Sequence, residues 1–200
     1  MARDFHDEMG NKLASITVLT SSLDILIKDK SKKLEEVLSD LEYTTKELFT
    51  GTKSFIWSMD PESDNLKEII AYIQHFAVDL LKNSGINFIL HPQLDHLSSS
   101  IHLPMGSSRQ IYFIFKEAIT NALVHSGATN ITLSYRLQLT KKKYHIKLSD
   151  DGKGLEDEEN YGKGLHNMVI RAKKINCRLT YLSNQNGGFN VKFVGTLPIS

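Results

Sequence analysis

Apolar positions recur every three or four residues through the first quarter of the chain. Phe5, Met9, Leu13, Ile16, Thr20, Leu23 and Ile27 follow one another at steps of four and three. This spacing predicts a helix with one buried stripe. "KDKSKK" at 28–33 interrupts the pattern with charge. It then resumes at Leu34, Leu38, Leu41, Thr45, Leu48, Thr52 and Phe55. Two helices joined by a short polar turn make an antiparallel hairpin with one long apolar face. A lone hairpin cannot cover that face, whereas two hairpins paired as a four-helix bundle can, so a homodimer is expected.

The period changes after "SMDPESDN" at 58–65, where Asp-Pro and several capping residues end the second helix. Leu66 to Lys82 reads as a helix stopped by Asn-Ser-Gly, and 86–90 as a strand. Ser107 to His125 is a strongly apolar helix ending in "HSG". Residues 130–139 and 144–150 alternate as strands around a basic turn. A helix over 164–175 precedes a hairpin of 177–183 and 189–198 about an Asn-Gly-Gly turn. The expected class is α+β: an N-terminal helical hairpin over 1–61 forming a dimeric four-helix bundle, then an α/β sandwich over 62–200. Its sheet should be largely antiparallel, with helices on one face.

Charge and composition narrow the function. Lys plus Arg number 24 against 23 Asp plus Glu, a net charge of +1, which argues against a nucleic-acid surface. "TKKK" at 140–143 reads as a solvated hairpin turn. A single cysteine, Cys177, excludes an internal disulfide, fits a reducing, cytoplasmic compartment and reads as an ordinary strand residue. No apolar run approaches the ~20 residues of a membrane span, so any membrane attachment is expected from segments upstream of this chain.

Three short motifs carry candidate chemistry. "KEAITNALVHSG" puts Glu117 and Asn121 four residues apart on one helix face. Their oxygens suit magnesium or can orient a water. "DDGKG" at 150–154 follows a strand with an acid, Asp150, and two glycines, Gly152 and Gly154, which let a backbone approach a ligand. "GKGL" opens the next helix with Gly162, Lys163, Gly164 and Leu165, presenting bare N–H groups and a positive dipole end to phosphates. Between the last two motifs runs a polar, acidic stretch with the composition of a flap. Each motif alone is weak, and their order and spacing together point to a nucleotide.

With these motifs the second unit resembles the catalytic ATP-binding domain of histidine kinases, in the Bergerat-fold ATPase superfamily. The resemblance makes Glu117 to Asn121 the N box, with Asn121 binding magnesium. It makes Asp150, Gly152 and Gly154 the first glycine box, with Asp150 holding adenine, and Gly162 and Gly164 the second. Residues 154–164 become the ATP lid. Arg171 matches an arginine that follows the second glycine box in one subfamily. Val124 stands where close relatives have a lysine, and Lys163 is an alternative source of that charge.

"RDFHDEMGN" at 3–11 is ambiguous by itself, since His6 lies on the flank of the apolar stripe beside Asp7. Next to an ATP site it resembles the H box of the HisKA_3 subfamily of sensor kinases, with Asn11 where the pattern has a glutamine. The resemblance implies a two-component sensor histidine kinase that uses ATP and Mg2+ to phosphorylate itself on His6. The phosphoryl group would then pass to an aspartate of a response regulator. Phosphatase activity toward that regulator, associated with the glutamine, is the function most exposed to Asn11. Chemically, a neutral imidazole is a usable nucleophile, and Asp7 can fix its tautomer. Two alternatives remain: a degenerate nucleotide-binding dimerisation module without turnover, and a serine kinase sharing the ATP fold. The second leaves the hairpin and its His-Asp pair without a purpose. His75, His91, His96 and His102 are expected to lack acid partners at helical spacing, which disfavours metal binding.

Overall fold

The computed structural model describes residues 16–21, 23, 32–57, 60–91, 101–154, 163–184 and 188–198. The chain divides into two compact units, Met1–Asp60 and Pro61–Ser200. In the first, residues 16–21 and 23 are helical and Lys32–Trp57 forms helix α1. Ser21 Oγ donates to Glu42 Oε1 at 3.2 Å, which sets the two helical segments side by side. These residues flank the charged stretch 28–33 at similar sequence distances, as an antiparallel pair requires. Thr20, Leu38, Thr45 and Ile56 are buried. The Thr20 and Thr45 hydroxyls donate to the carbonyls of Ile16 and Leu41, so a polar side chain can sit on an apolar seam. Ile16, Leu23, Leu41 and Leu48 of the same stripes stay exposed within the unit.

The second unit opens with a 3₁₀ turn, Pro61–Ser63, and helix α2, Leu66–Leu81. Strand β1 (Asn87–His91), helix α3 (Ser107–Asn121), β2 (Asn130–Gln138) and β3 (Lys143–Asp150) follow. Helix α4 (Lys163–Lys174), β4 (Arg178–Asn184) and β5 (Gly188–Thr196) complete it. The sheet runs β1-β2-β3-β5-β4 and is antiparallel except at its β1 edge, where β1 pairs parallel to β2. A parallel pair needs a crossover, and α3 supplies it. Alternation places Tyr144, Ile146 and Leu148 of β3 against the helices, with Ile131, Leu133 and Phe193 from its neighbours. Ile69 and Ile73 of α2, and Ile111, Phe115 and Ile119 of α3, close the core. The class is α+β with helices on one face, as expected.

One acid sets the position of α3. Its N-cap, Gly106, has no side chain to cap with. The buried Asp64 does so from outside, accepting from Gly106 N and Ser108 N at 2.7 Å each. A carboxylate there satisfies orphan donors and meets the positive end of the helix dipole. Ser63 Oγ bonds Ser108 Oγ, and Leu66 N donates to Ile101 O, tying the start of the unit to α3.

Three expectations need correction. The α-helical hydrogen bonding of α3 stops at Asn121 instead of reaching His125, and Ala122–Ser126 form a π-helical turn capped by Gly127 at φ 62°. Cys177 precedes β4 and is not part of it; its half-buried thiol lies 3.7 Å from the Tyr144 hydroxyl, and burial pushes its pKa up. His75 does have an acid at helical spacing: its Nε2 lies 3.5 Å from Asp79 Oδ2, an exposed surface pair.

Candidate functional site

Helix α3 carries Glu117 and Asn121 one turn apart, both half-buried, above the buried Ala118 and Ile119. Glycine brings α4 to them. A Cβ built on Gly164 would overlap the Glu117 carboxylate, and Asn121 Nδ2 would lie 3.5 Å from it. A side chain at this position would have to displace the Glu117 carboxylate. Lys163 is exposed beside it, and Leu165 is buried and anchors the turn.

Asp150 ends β3 on the buried side of the strand. Its Oδ1 accepts from Gly152 N at 3.0 Å and Phe189 N at 3.3 Å. Burial pushes its pKa up, against the pull of those two bonds. A second close approach fixes the following loop. A Cβ on Gly152 would overlap the Ser126 carbonyl, the same carbonyl that accepts from Lys153 N at 3.0 Å. The Ser126 hydroxyl accepts from Ala128 N, holding the π-turn closed over Gly127. π-turns recur at functional sites because they re-aim side chains without breaking a helix. Gly154 adopts φ 75°, where the chain turns away from β3.

The structure therefore brings Glu117, Asn121 and Gly164 together at one place. It joins Asp150 and Gly152 to the turn that ends the same helix. Val124 and His125 on that turn are both exposed. Arg171 lies about two turns along α4 from Gly164, on the same face. Its guanidinium stands 4.7 Å from the centre of the Phe113 ring and donates to Gln110 Oε1 at 3.3 Å, tying α4 to α3. His6, Asp7, Asn11, the lid stretch 155–162 and Gly162 with it lie outside the described residues.

Sequence reasoning missed Asp151. Its exposed carboxylate accepts from Thr129 N and Oγ1 and Asn130 N at 2.8 Å each, and from Asn130 Nδ2 at 2.7 Å. The bonds from Asn130 lead in holding its carboxyl well below the usual carboxylate range. Strand alternation carried the signal: if Tyr144, Ile146 and Leu148 point inward, so does Asp150, and Asp151 points out. His166, Asn167 and Tyr181 were missed as well. With Lys163 and Val169 they line a cavity of about 470 Å³ beside the first turns of α4.

The donors present suit a nucleotide with magnesium. Hard amide and carboxylate oxygens, glycines at the closest approaches and a helix start converge on one face. Among the described residues, no cluster of three His, Cys, Asp or Glu is placed to hold a metal alone. An ion there would share its coordination with phosphate and water oxygens.

Residues 1–64 match the HisKA_3 model, described as histidine kinase. The sensor histidine kinase YxjM of Bacillus subtilis is 28% identical over 200 residues, all of this chain and 47% of that protein. The start of the chain is thus similar to that family, and the whole chain is similar to sensor histidine kinases. Sensor histidine kinase LnrJ of the same organism is 27% identical over 96% of this chain and 46% of its own length. Sensor protein VraS of Staphylococcus aureus is 24% identical over 96% of this chain and 53% of its own length. The chain thus spans about half the length of these relatives. Among solved structures, the Acinetobacter baumannii histidine kinase AdeS has the same fold at TM-score 0.57 and 14% identity, covering 97% of this chain and 98% of that one. The histidine kinase domain from the Erythrobacter litoralis EL346 blue-light activated kinase does so at TM-score 0.55 and 14% identity, covering 97% and 94%.

Proposed function

We propose that this chain is the transmitter of a two-component system: it phosphorylates itself on His6 from ATP and passes the phosphoryl group to a receiver aspartate. The observation that carries the reading is the approach of Gly164 to Glu117 and Asn121, which seats a helix start beside two hard oxygen donors. Magnesium-ATP supplies the phosphoryl group and the charge that neutralises it. Asn121, with Glu117 beside it, would hold the ion, and Asp150 would accept the adenine amino group. Gly152, Gly154, Gly162 and Gly164 would let backbone N–H groups face phosphates, with Lys163 and Leu165 at the helix start.

The residues of the H box complete the reading. His6 would attack as neutral imidazole, and Asp7 would accept the proton of the far ring nitrogen and hold the tautomer. Asn11, five residues on, would position water less readily than the glutamine of the family pattern, which favours kinase over phosphatase output. The second chain of a homodimer would cover the exposed Ile16, Leu23, Leu41 and Leu48. No helix among the described residues is long and apolar enough to cross a membrane.

Incubation with γ-labelled ATP and magnesium tests the reading. Acid-labile, alkali-stable label on the chain, lost in His6→Gln while ATP binding persists, supports it. Label that survives His6→Gln refutes it.

A further inference from the structure

The sheet has a second face, turned away from the helices, and its charge is one-sided. Arg136 lies opposite His145 in the β2–β3 register, and Lys147 lies opposite Lys192 in the β3–β5 register. Lys143 stands two residues before His145 on the same side, and Arg178 extends the row across β4 and β5. The cations among these residues are exposed. Thr132, Ser134, Ser149, Thr180 and Asn190 occupy the positions between them, and no aspartate or glutamate lies among the outward positions of β1–β5; Asp151, just past the end of β3, is tied to Thr129 and Asn130. A net charge of +1 over the whole chain hides this segregation.

The arrangement has a cost. Like charges directly opposite across strands destabilise a sheet, and Lys147 and Lys192 are such a pair. The neighbouring field shows on His145: partial burial comes first, then Lys192, Arg136, Lys143 and Lys141 hold its pKa down. A negatively charged partner relieves that repulsion.

We propose that this face docks on an anionic phospholipid surface. The charges are spread over four strands of an open sheet instead of converging on a pocket. That suits a delocalised negative plane. Tight protein interfaces are depleted in lysine and built around buried aromatic anchors. This face offers lysines and no aromatic ring. At its edge the β2–β3 turn exposes Leu139 beside Lys141, Lys142 and Lys143. An apolar side chain among lysines is the composition of an interfacial contact. The inference rests on sheet register and charge, not on the kinase reading.

Co-sedimentation of the full 200-residue chain with vesicles tests it. Phosphatidylcholine vesicles should leave the chain in the supernatant, and vesicles containing phosphatidylglycerol should retain it at low salt. Each lysine near such a surface strengthens partition roughly fivefold. Lys147→Gln with Lys192→Gln should therefore weaken retention at least tenfold, while Lys173→Gln with Lys174→Gln, equal in net charge, should change it little. Raising salt from about 0.1 M to 1 M shrinks the screening length from roughly 10 to 3 Å and should release the chain. Equal retention on both vesicle types overturns the proposal, as does an equal loss in both double variants. Capture by an acidic protein or polyanion without vesicle binding assigns the face to a soluble partner and likewise overturns it.

Discussion

Gly164 packs against Glu117 so closely that a single added methyl group would overlap the carboxylate. The overlapping atoms are the end of a flexible side chain, so Gly164→Ala should swing the Glu117 carboxylate off this face, costing about 1 kcal/mol or less of stability and at least tenfold in ATP affinity. The stability cost should shrink toward zero in a Glu117→Ala background, because the overlapping atoms are then gone. Denaturant melts of the four chains give the coupling. An undiminished cost in the double variant would place the strain elsewhere.

Asp150 sets function against stability. Its carboxyl is held above the ordinary carboxylate range, first by burial. For a raised acid, the folded state binds its proton more tightly than the unfolded chain. Stability is thus greatest below the unfolded pKa and falls as pH rises through the folded one. At neutral pH the buried charge is a net cost. Asp150→Asn removes it while an amide oxygen remains to accept from Gly152 N and Phe189 N. The nucleotide-free variant should melt higher than the parent at pH 7, the difference closing on acidification, and should lose ATP binding. A variant that melts lower at pH 7 would show the charge to be stabilising.

Asp151, its neighbour, should behave in the opposite sense. Four hydrogen bonds hold its carboxyl low, so its contribution is present above the ordinary carboxylate pKa and lost as pH falls through the folded value. Because the group is exposed, the loss in Asp151→Ala should be about 1–2 kcal/mol at pH 7. The variant's stability should also vary less with pH in the acid range. Parallel pH profiles for variant and parent would count against the assignment.

Asp64 acts at longer range. It caps α3 through Gly106 N and Ser108 N, and α3 carries Glu117 and Asn121. Asp64→Ala should cost about 1–2 kcal/mol, and Asp64→Asn should recover part of it, since an amide oxygen still accepts. Chemical denaturation of both variants decides this. Equal losses would mean that the charge matters and the cap geometry does not.

These residues divide by how local their signals are. Strand alternation in Lys143–Asp150 and the glycine at 164 could be read in sequence because side-chain period and turn chemistry act over a few positions. The parallel pairing of β1 with β2 could not, since nothing in "INFIL" distinguishes a parallel edge from an antiparallel one. The π-turn at Ala122–Ser126 was hidden because its residues continue the apolar helical pattern. The Asp64 cap and the basic sheet face needed tertiary register. Asp64 reaches Gly106 across the fold, and Lys147 meets Lys192 only once β3 and β5 are paired.

The exposed half of the α1 stripe gives the last prediction. Leu41 is 46% and Leu48 58% exposed, while Leu38 and Thr45, which alternate with them along the stripe, are buried within the unit. Ile16 and Leu23 of the preceding helical residues are exposed to a similar degree. One hairpin therefore covers one side of its seam and leaves the other exposed. A large apolar side chain gains roughly 1.5–3 kcal/mol on full burial, so even half of that at four positions can offset much of the entropy of association. Leu41→Glu with Leu48→Glu should give a monomer by light scattering that still binds ATP by calorimetry, because the second unit keeps its own core. Glu35→Gln with Glu36→Gln, on exposed positions of the same helix, should leave the dimer intact. A monomeric parent chain at micromolar concentration, or a dimer that survives both leucine changes, would mean that the seam is covered by something other than its own copy.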